Sequence, residues 1–292
     1  MSDLKTLLQD KLKETRNTLS PSSIRTYVSI LSNLYKKMDG EGNVDFFKMK
    51  YNDILKHLED KNNQTRKTTL SALFILTGMR EYQSEMQSIM KKVNQEYKEQ
   101  KMNQKQKDNW ISTEEIKEKY DSISAIAISM LTKKKMMNES IIMEFLLMCF
   151  LSGIFMAPRR SLDYSEMKIR NYDIKTDNYY KGNKFFFNKY KTVKNYGTQS
   201  IEVPKQLNDL LKKWIKINER DYMLYSSNGN KINPPQITRI LNKVFEKKIS
   251  TSMLRHIYLT DTYKDIPEIN KMENLAKDMG HSVSTAMEYI KR

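Results

Sequence analysis

Five residues in the second half of the chain carry side chains suited to moving a phosphoryl group: Arg160, Lys191, Arg255, His281 and Tyr289. Two guanidinium groups can neutralise a phosphate and grip its oxygens in bidentate fashion. An ammonium can protonate a departing alkoxide. A phenol can attack phosphorus once neighbouring cations and a phosphate-bound histidine help its ionisation, since a free tyrosine titrates at about 10. That chemistry needs no metal and no cofactor, and no metal-ligand spacing is evident in the sequence. Each residue alone has a blander reading. An Arg159–Arg160 pair is usually solvated surface, a lysine in a hairpin loop is common, and a histidine after glycine more often caps or packs. It is the ordered set that points to chemistry.

The elements that must position these residues can be read from periodicity and turn signals. Arg160 follows a buried helix expected over 138–153, and Asp163, three residues on, is placed to orient it; Arg159 is the neighbouring candidate. Lys191 lies in KYKTVKNYGTQSIEVP between two expected antiparallel strands, with Lys189 and Lys194 as alternatives. Strand-like stretches are NYDIKTDNYY, KFFFNKY and TQSIEVP, with turns at Lys181-Gly182-Asn183 and Asn195-Tyr196-Gly197. Met253, Leu254, Ile257 and Leu259 predict a helix packed on the core, with Arg255 and His256 emerging from it. Gly280 is expected to end a helix and leave His281 on a turn, and Tyr289 falls on a short last helix.

Ahead of this region, residues 1–100 read as helices only. Ser20-Pro21 is a helix start, followed at helical spacing by Ile24, Tyr27, Val28, Leu31, Leu34 and Tyr35. Further helices are expected around Ile54 to Leu58, over Thr65 to Gly78, and from Tyr82 onward. The polar stretch 101–109 reads as a linker. A second domain, 110–292, opens with Ser112 and Glu115 in a capping-box pattern. Helix is expected again over 204–217.

Composition limits the setting. The net charge of +16 calls for a polyanionic partner, because phosphate neutralisation with counterion release dominates nucleic-acid affinity. The single cysteine, Cys149, excludes an intrachain disulfide framework and fits an intracellular, reducing compartment. Its apolar run, Ile141 to Phe155, contains Glu144 and is shorter than the about 20 residues that a membrane crossing needs, so no membrane partner is expected. The N-terminus is charged and amphipathic and has no signal-peptide core.

The ordered motifs resemble those of the tyrosine recombinase (phage integrase) family. Its first motif is similar to Ala157-Pro158-Arg159-Arg160-Ser161-Leu162-Asp163, which places the catalytic arginine at Arg160. Its hairpin lysine matches Lys191, its His-x-Leu-Arg-His matches Ser252-Met253-Leu254-Arg255-His256, its Leu-Gly-His matches Met279-Gly280-His281, and its nucleophile matches Tyr289. The resemblance carries specific motifs over 110–292 and covers the N-terminal helices by domain order alone. Two departures stand out. Ser252 occupies a position usually held by His or Lys, with Lys248 and His256 nearby as substitutes, and the His281–Tyr289 spacing is one residue shorter than usual.

The resemblance implies a mainly α protein with a small antiparallel β-sheet in the catalytic domain. It implies a helical core-binding (SAM-like) DNA-binding domain over 1–100 and a two-domain, C-shaped clamp on double-stranded DNA. It further implies a site-specific recombinase or integrase working through a 3′-phosphotyrosyl intermediate in a tetrameric synapse, with no cofactor and no metal. Arg160, Lys191, Ser252, Arg255, His281 and Tyr289 would form the site. Within the family, the PRRSLDY string looks most like integrases of viruses, virophages and mobile elements, acting in a host nucleus or cytoplasm. A type IB-like topoisomerase and a catalytically weak, recombinase-derived DNA-binding protein are the alternatives.

The charge makes a first prediction. Duplex binding should weaken steeply with salt, each phosphate contact adding about −0.9 to the slope of log K against log salt. Filter-binding titrations across a salt series measure that slope, and a flat line would remove the polyanion reading.

Overall fold

Capping chemistry legible in the sequence sets several helix starts in the computed structural model of the protein, which describes residues 2–38, 40, 44–134, 138–280 and 282–288. The chain divides into two units, Met1–Lys101 with Pro267–Arg292, and Met102–Ile266.

The first unit contains α1 (Ser2–Thr15), α2 (Pro21–Lys37), α3 (Phe46–Met49), α4 (Tyr51–Leu58), α5 (Asn63–Thr77) and α6 (Arg80–Lys98). Ser20 caps α2 by accepting from the Ser23 amide at 3.1 Å, with Pro21 in the first turn. Asn62 caps α5 in the same way at 2.9 Å, and Gly78 ends it at φ +71°, a conformation that glycine adopts without penalty. Leu8, Leu12, Leu31, Phe47, Ile54, Leu73 and Tyr82 close the core, and the buried Tyr82 hydroxyl donates to the Phe47 carbonyl at 2.6 Å.

The second unit begins with α7 (Gln104–Asn109), α8 (Thr113–Lys133) and α9 (Glu139–Leu151). The stretch expected as linker thus holds a short helix, because Asn103 and Gln106 form a reciprocal capping box. The expected Ser112–Glu115 box is present, with the Ser112 hydroxyl accepting from the Glu115 amide at 3.1 Å and the Glu115 carboxylate accepting from the Ser112 amide at 2.7 Å. Helix α9 is the centre of the unit. Every residue from Ile142 to Leu151 is buried, Cys149 included, and Glu144 is tolerated there because Lys243 pairs with it at 2.6 Å. No helix among the described residues is long and apolar enough to cross a membrane.

After α9 come α10 (Ser161–Ser165), β1 (Met167–Lys168), β2 (Asn178–Lys181), β3 (Lys184–Phe187), α11 (Val193–Tyr196), β4 (Gln199–Glu202), α12 (Lys205–Ile217), α13 (Pro234–Phe245) and α14 (Thr251–Thr262). The sheet order is β1-β2-β3-β4. It was expected to be antiparallel and is mixed: β2, β3 and β4 are antiparallel, but β1 pairs with β2 in parallel. The strands are also shorter than expected, and 171–177 forms no strand. There the side chains take over the backbone donors. Asp173 accepts from the Lys175 amide at 2.8 Å, Asp177 accepts from the Asp173 amide at 2.9 Å, and Asn171 sits at φ +47°. Such local bonds compete with a ladder. The β2–β3 turn is as expected, with Gly182 and Asn183 both at positive φ, the backbone that a two-residue hairpin of type I′ requires.

The last helices are α15 (Ile269–Asp278) and α16 (Val283–Glu288), both within the first unit. Gly280, at φ +71°, ends the turn after α15 as expected. The α15 segment is tied to α6 by a Lys98–Glu273 ion pair at 2.9 Å.

Loss of a cap gives the prediction here. Ser112→Ala should cost about 1 kcal/mol of stability in the second unit. The two tryptophans, Trp110 and Trp214, both lie in that unit, so denaturant unfolding followed by their fluorescence reads it directly. An unchanged midpoint would mean that the box adds nothing to α8.

Candidate phosphate-binding site

Three arginines converge electrostatically on one buried carboxylate. Asp163 sits in α10 with its side chain 2% exposed. Burial pushes its carboxyl above the usual carboxylate range, while Arg159, then Arg160, then Arg255, pull in the opposite direction. Arg255 is distant in sequence and lies on α14, which packs on α8 and α9. The expected partner of Asp163 was Arg160, but the ion pair is made by Arg159, whose Nε donates to Oδ2 at 2.9 Å. Arg159 precedes α10, and the packing of its guanidinium against Phe187 and Tyr190 brings it to Asp163. Arg160 is instead the cap residue of α10, in extended conformation and half-buried. Among the described residues, neither Arg160 nor Arg255 forms a side-chain hydrogen bond or ion pair of its own, and Asp163 Oδ1 has no hydrogen-bond partner.

The support beneath these residues is aromatic. Tyr164, next to Asp163, is fully buried and stacks on Phe150 of α9 at 4.9 Å, with Phe185 and Phe187 edge-on to it. Helix α10 is therefore held against both the central helix and the sheet. On α14, Ser250 caps the start, and Met253, Leu254 and Ile257 face the core. Ser252, Arg255, His256 and Leu259 follow at the spacing of the opposite stripe. Arg255 is half-buried, and Ser252 and His256 are exposed. Leu259, expected in the packed face, is 45% exposed because it lies two residues past Ile257, around the helix from the buried stripe.

Lys191 lies in the connection between the antiparallel strands β3 and β4, as its sequence context suggested, and is exposed. The geometry also separates the lysines. Lys189 is taken by Glu166 at 2.6 Å, and Lys231 holds the same carboxylate at 2.9 Å. Lys191 and Lys194 carry no side-chain bond among the described residues. His281 and Tyr289 lie outside the described residues. Of the tyrosines nearer the arginines in sequence, Tyr258 packs against Gly153 and Tyr263 is exposed at the end of α14.

Sequence reasoning missed the surroundings of Arg159 and the capture of Lys189 by Glu166. Both depend on packing between segments and left no local trace. Among the described residues, pockets of about 410 and 420 Å³ lie elsewhere. One is lined by residues including Asn138, Tyr225 and Arg239, the other by Lys37, Lys56 and His57. Among the described residues no group of three His, Cys, Asp or Glu is arranged to hold a metal ion.

No model of a known protein family matches the sequence, and no curated protein matches it. Among solved structures the chain is similar to the crystal structure of XerA recombinase, at 13% sequence identity over 98% of this chain and 93% of that chain, with a TM-score of 0.37.

Glu166 supplies a pH prediction. Burial opposes its ionisation, but the hydrogen bonds and charges of Lys189 and Lys231 outweigh that and hold its carboxyl below the usual range. A lowered folded value stabilises the fold above the ordinary carboxylate range, and this stabilisation is lost as the pH falls through the lowered value. Wild type should therefore exceed Glu166→Gln in stability at neutral pH, with the gap closing on acidification. Denaturant unfolding at a series of pH values checks this; a gap that does not change with pH would assign it to packing.

Proposed function

We propose that the chain is a site-specific DNA recombinase or integrase that cleaves and rejoins duplex DNA through a 3′-phosphotyrosyl intermediate. One observation carries the reading. Arg160 and Arg255, far apart in sequence, share the field of a single buried carboxylate whose hydrogen bond goes to Arg159. Three guanidinium charges acting on one carboxylate charge leave an excess of two positive charges. That excess suits a phosphodiester in the ground state and suits its pentacoordinate, doubly charged transition state better, which is the requirement for catalysis.

In this reading Arg160 and Arg255 hold the scissile phosphate. The Tyr289 phenolic oxygen forms the new bond to phosphorus as its proton passes to water. The bond from phosphorus to the 5′-oxygen breaks, and Lys191 gives that oxygen a proton. His281 and Ser252 donate hydrogen bonds to the phosphate oxygens, and the neutral Ser252 contributes less than a charged donor would. The phosphotyrosyl link conserves the energy of the broken bond, so a 5′-hydroxyl from a second strand reseals it without ATP. Strand exchange between duplexes requires several protomers, hence a tetrameric synapse on DNA.

The test uses a pool of nicked suicide duplexes of random sequence, from which the cleaved strand cannot religate. Wild type should form a covalent adduct that survives denaturation and maps to Tyr289. Tyr289→Phe should abolish the adduct and keep DNA affinity, while Arg160→Ala or Arg255→Ala should slow its formation by about 100-fold or more. A full-strength adduct in Tyr289→Phe moves the nucleophile to Tyr258 or Tyr263. Tight binding with no adduct from wild type favours the DNA-binding alternative that Ser252 keeps open.

A further inference from the structure

We propose that Arg159 is a positioning residue that sets the Lys191 loop against the segment carrying Arg160. The inference rests on the reading of Lys191 as general acid. Arg159 has a side chain only 16% exposed, unusual for a cation next to a surface loop. Its Nε donates to Asp163, and its Nη1 donates to Gln199 Oε1 at 2.9 Å. Its guanidinium lies 4.0 Å from the ring centre of Phe187 and 5.1 Å from that of Tyr190.

These partners bracket the β3–β4 connection. Phe187 is the last residue of β3, Gln199 is the first of β4, and Tyr190 immediately precedes Lys191. The Tyr190 hydroxyl also donates to the Gly197 carbonyl at 2.7 Å, which ties the start of the loop to its end. The exposed loop is thus closed at its base, and the base is built around a guanidinium whose chain neighbour is Arg160. An apolar side chain could fill the same space without the cost of burying a charge. What it could not do is hold three segments in fixed directions, because only a planar fork both stacks on rings and makes two oriented hydrogen bonds. A general acid must stand within hydrogen-bond reach of the oxygen it protonates, and a displacement of about 1 Å costs about 100-fold in rate.

The experiment takes the duplex recovered from the random pool and makes it in two forms, one ordinary and one with a 5′-bridging sulfur at the mapped scissile position. A thiolate leaves without being protonated, so a defect in the general acid disappears on the sulfur substrate. Arg159→Lys and Arg159→Gln should cleave the ordinary duplex about 10- to 100-fold more slowly than wild type and recover to within a few-fold on the sulfur form, as Lys191→Ala should. Amide hydrogen exchange over 188–198 should rise in both Arg159 variants. Slow cleavage of both substrates, normal cleavage of both, or unchanged exchange in 188–198 would each overturn the proposal. Should both Arg159 variants fail to fold by tryptophan fluorescence, Gln199→Ala, which leaves the Asp163 pair intact, must show the same sulfur-rescued defect or the proposal falls. Ordinary cleavage by Lys191→Ala is a different failure: it removes the general-acid reading itself.

Discussion

A buried carboxylate paired with an arginine organises the candidate site. Taking Asp163 out of water disfavours its charge, and the adjacent guanidinium groups restore it in part. A buried pair of this kind contributes little net stability, since desolvation offsets attraction, but it is costly to break, because removing one partner leaves the other charge uncompensated at about 3–5 kcal/mol. Asp163 therefore dictates which arginine turns inward. Arg159 does, and its neighbour Arg160 is left at the start of α10 without an ion pair of its own.

That arrangement is rigid because of what lies beneath it. The residue after Asp163 is Tyr164, whose ring is enclosed by Phe150, Phe185 and Phe187, so one aromatic cluster locks α10 to the central helix and to the sheet at once. Arg159 adds a cation over the Phe187 ring. A hydrogen-bonded hairpin with a turn of type I′ backbone sets the positions of Phe185 and Phe187. Hence the hairpin supports the arginines as well as the lysine-bearing loop. A substitution in its turn would be felt at α10, although no turn residue touches a charged group there.

The excess of positive charge acts at two scales. Over the whole chain it favours any duplex, through counterion release that depends on charge and not on base sequence. Around Asp163 it is focused by burial, where each interaction is stronger than in water. The first scale serves binding and the second serves chemistry, so charge removed at the surface and charge removed beside Asp163 have different consequences.

Local features were legible in the sequence because their causes are local. The Ser20, Ser112 and Gly280 boundaries, the buried helix around Cys149, the Gly182-Asn183 turn and the hairpin setting of Lys191 follow from capping, periodicity and backbone preference within a few residues. The mixed sheet was not legible, since the parallel β1–β2 pairing and the Asp173–Asp177 bonds arise only when the 169–177 loop closes on itself. Residue types and order pointed to Arg160, Lys191 and Arg255, but not to which arginine Asp163 takes or which lysine Glu166 takes. Those choices belong to the tertiary structure. A carboxylate pairs with the cation that packing brings within reach after both are desolvated, and sequence spacing alone does not say which one that is.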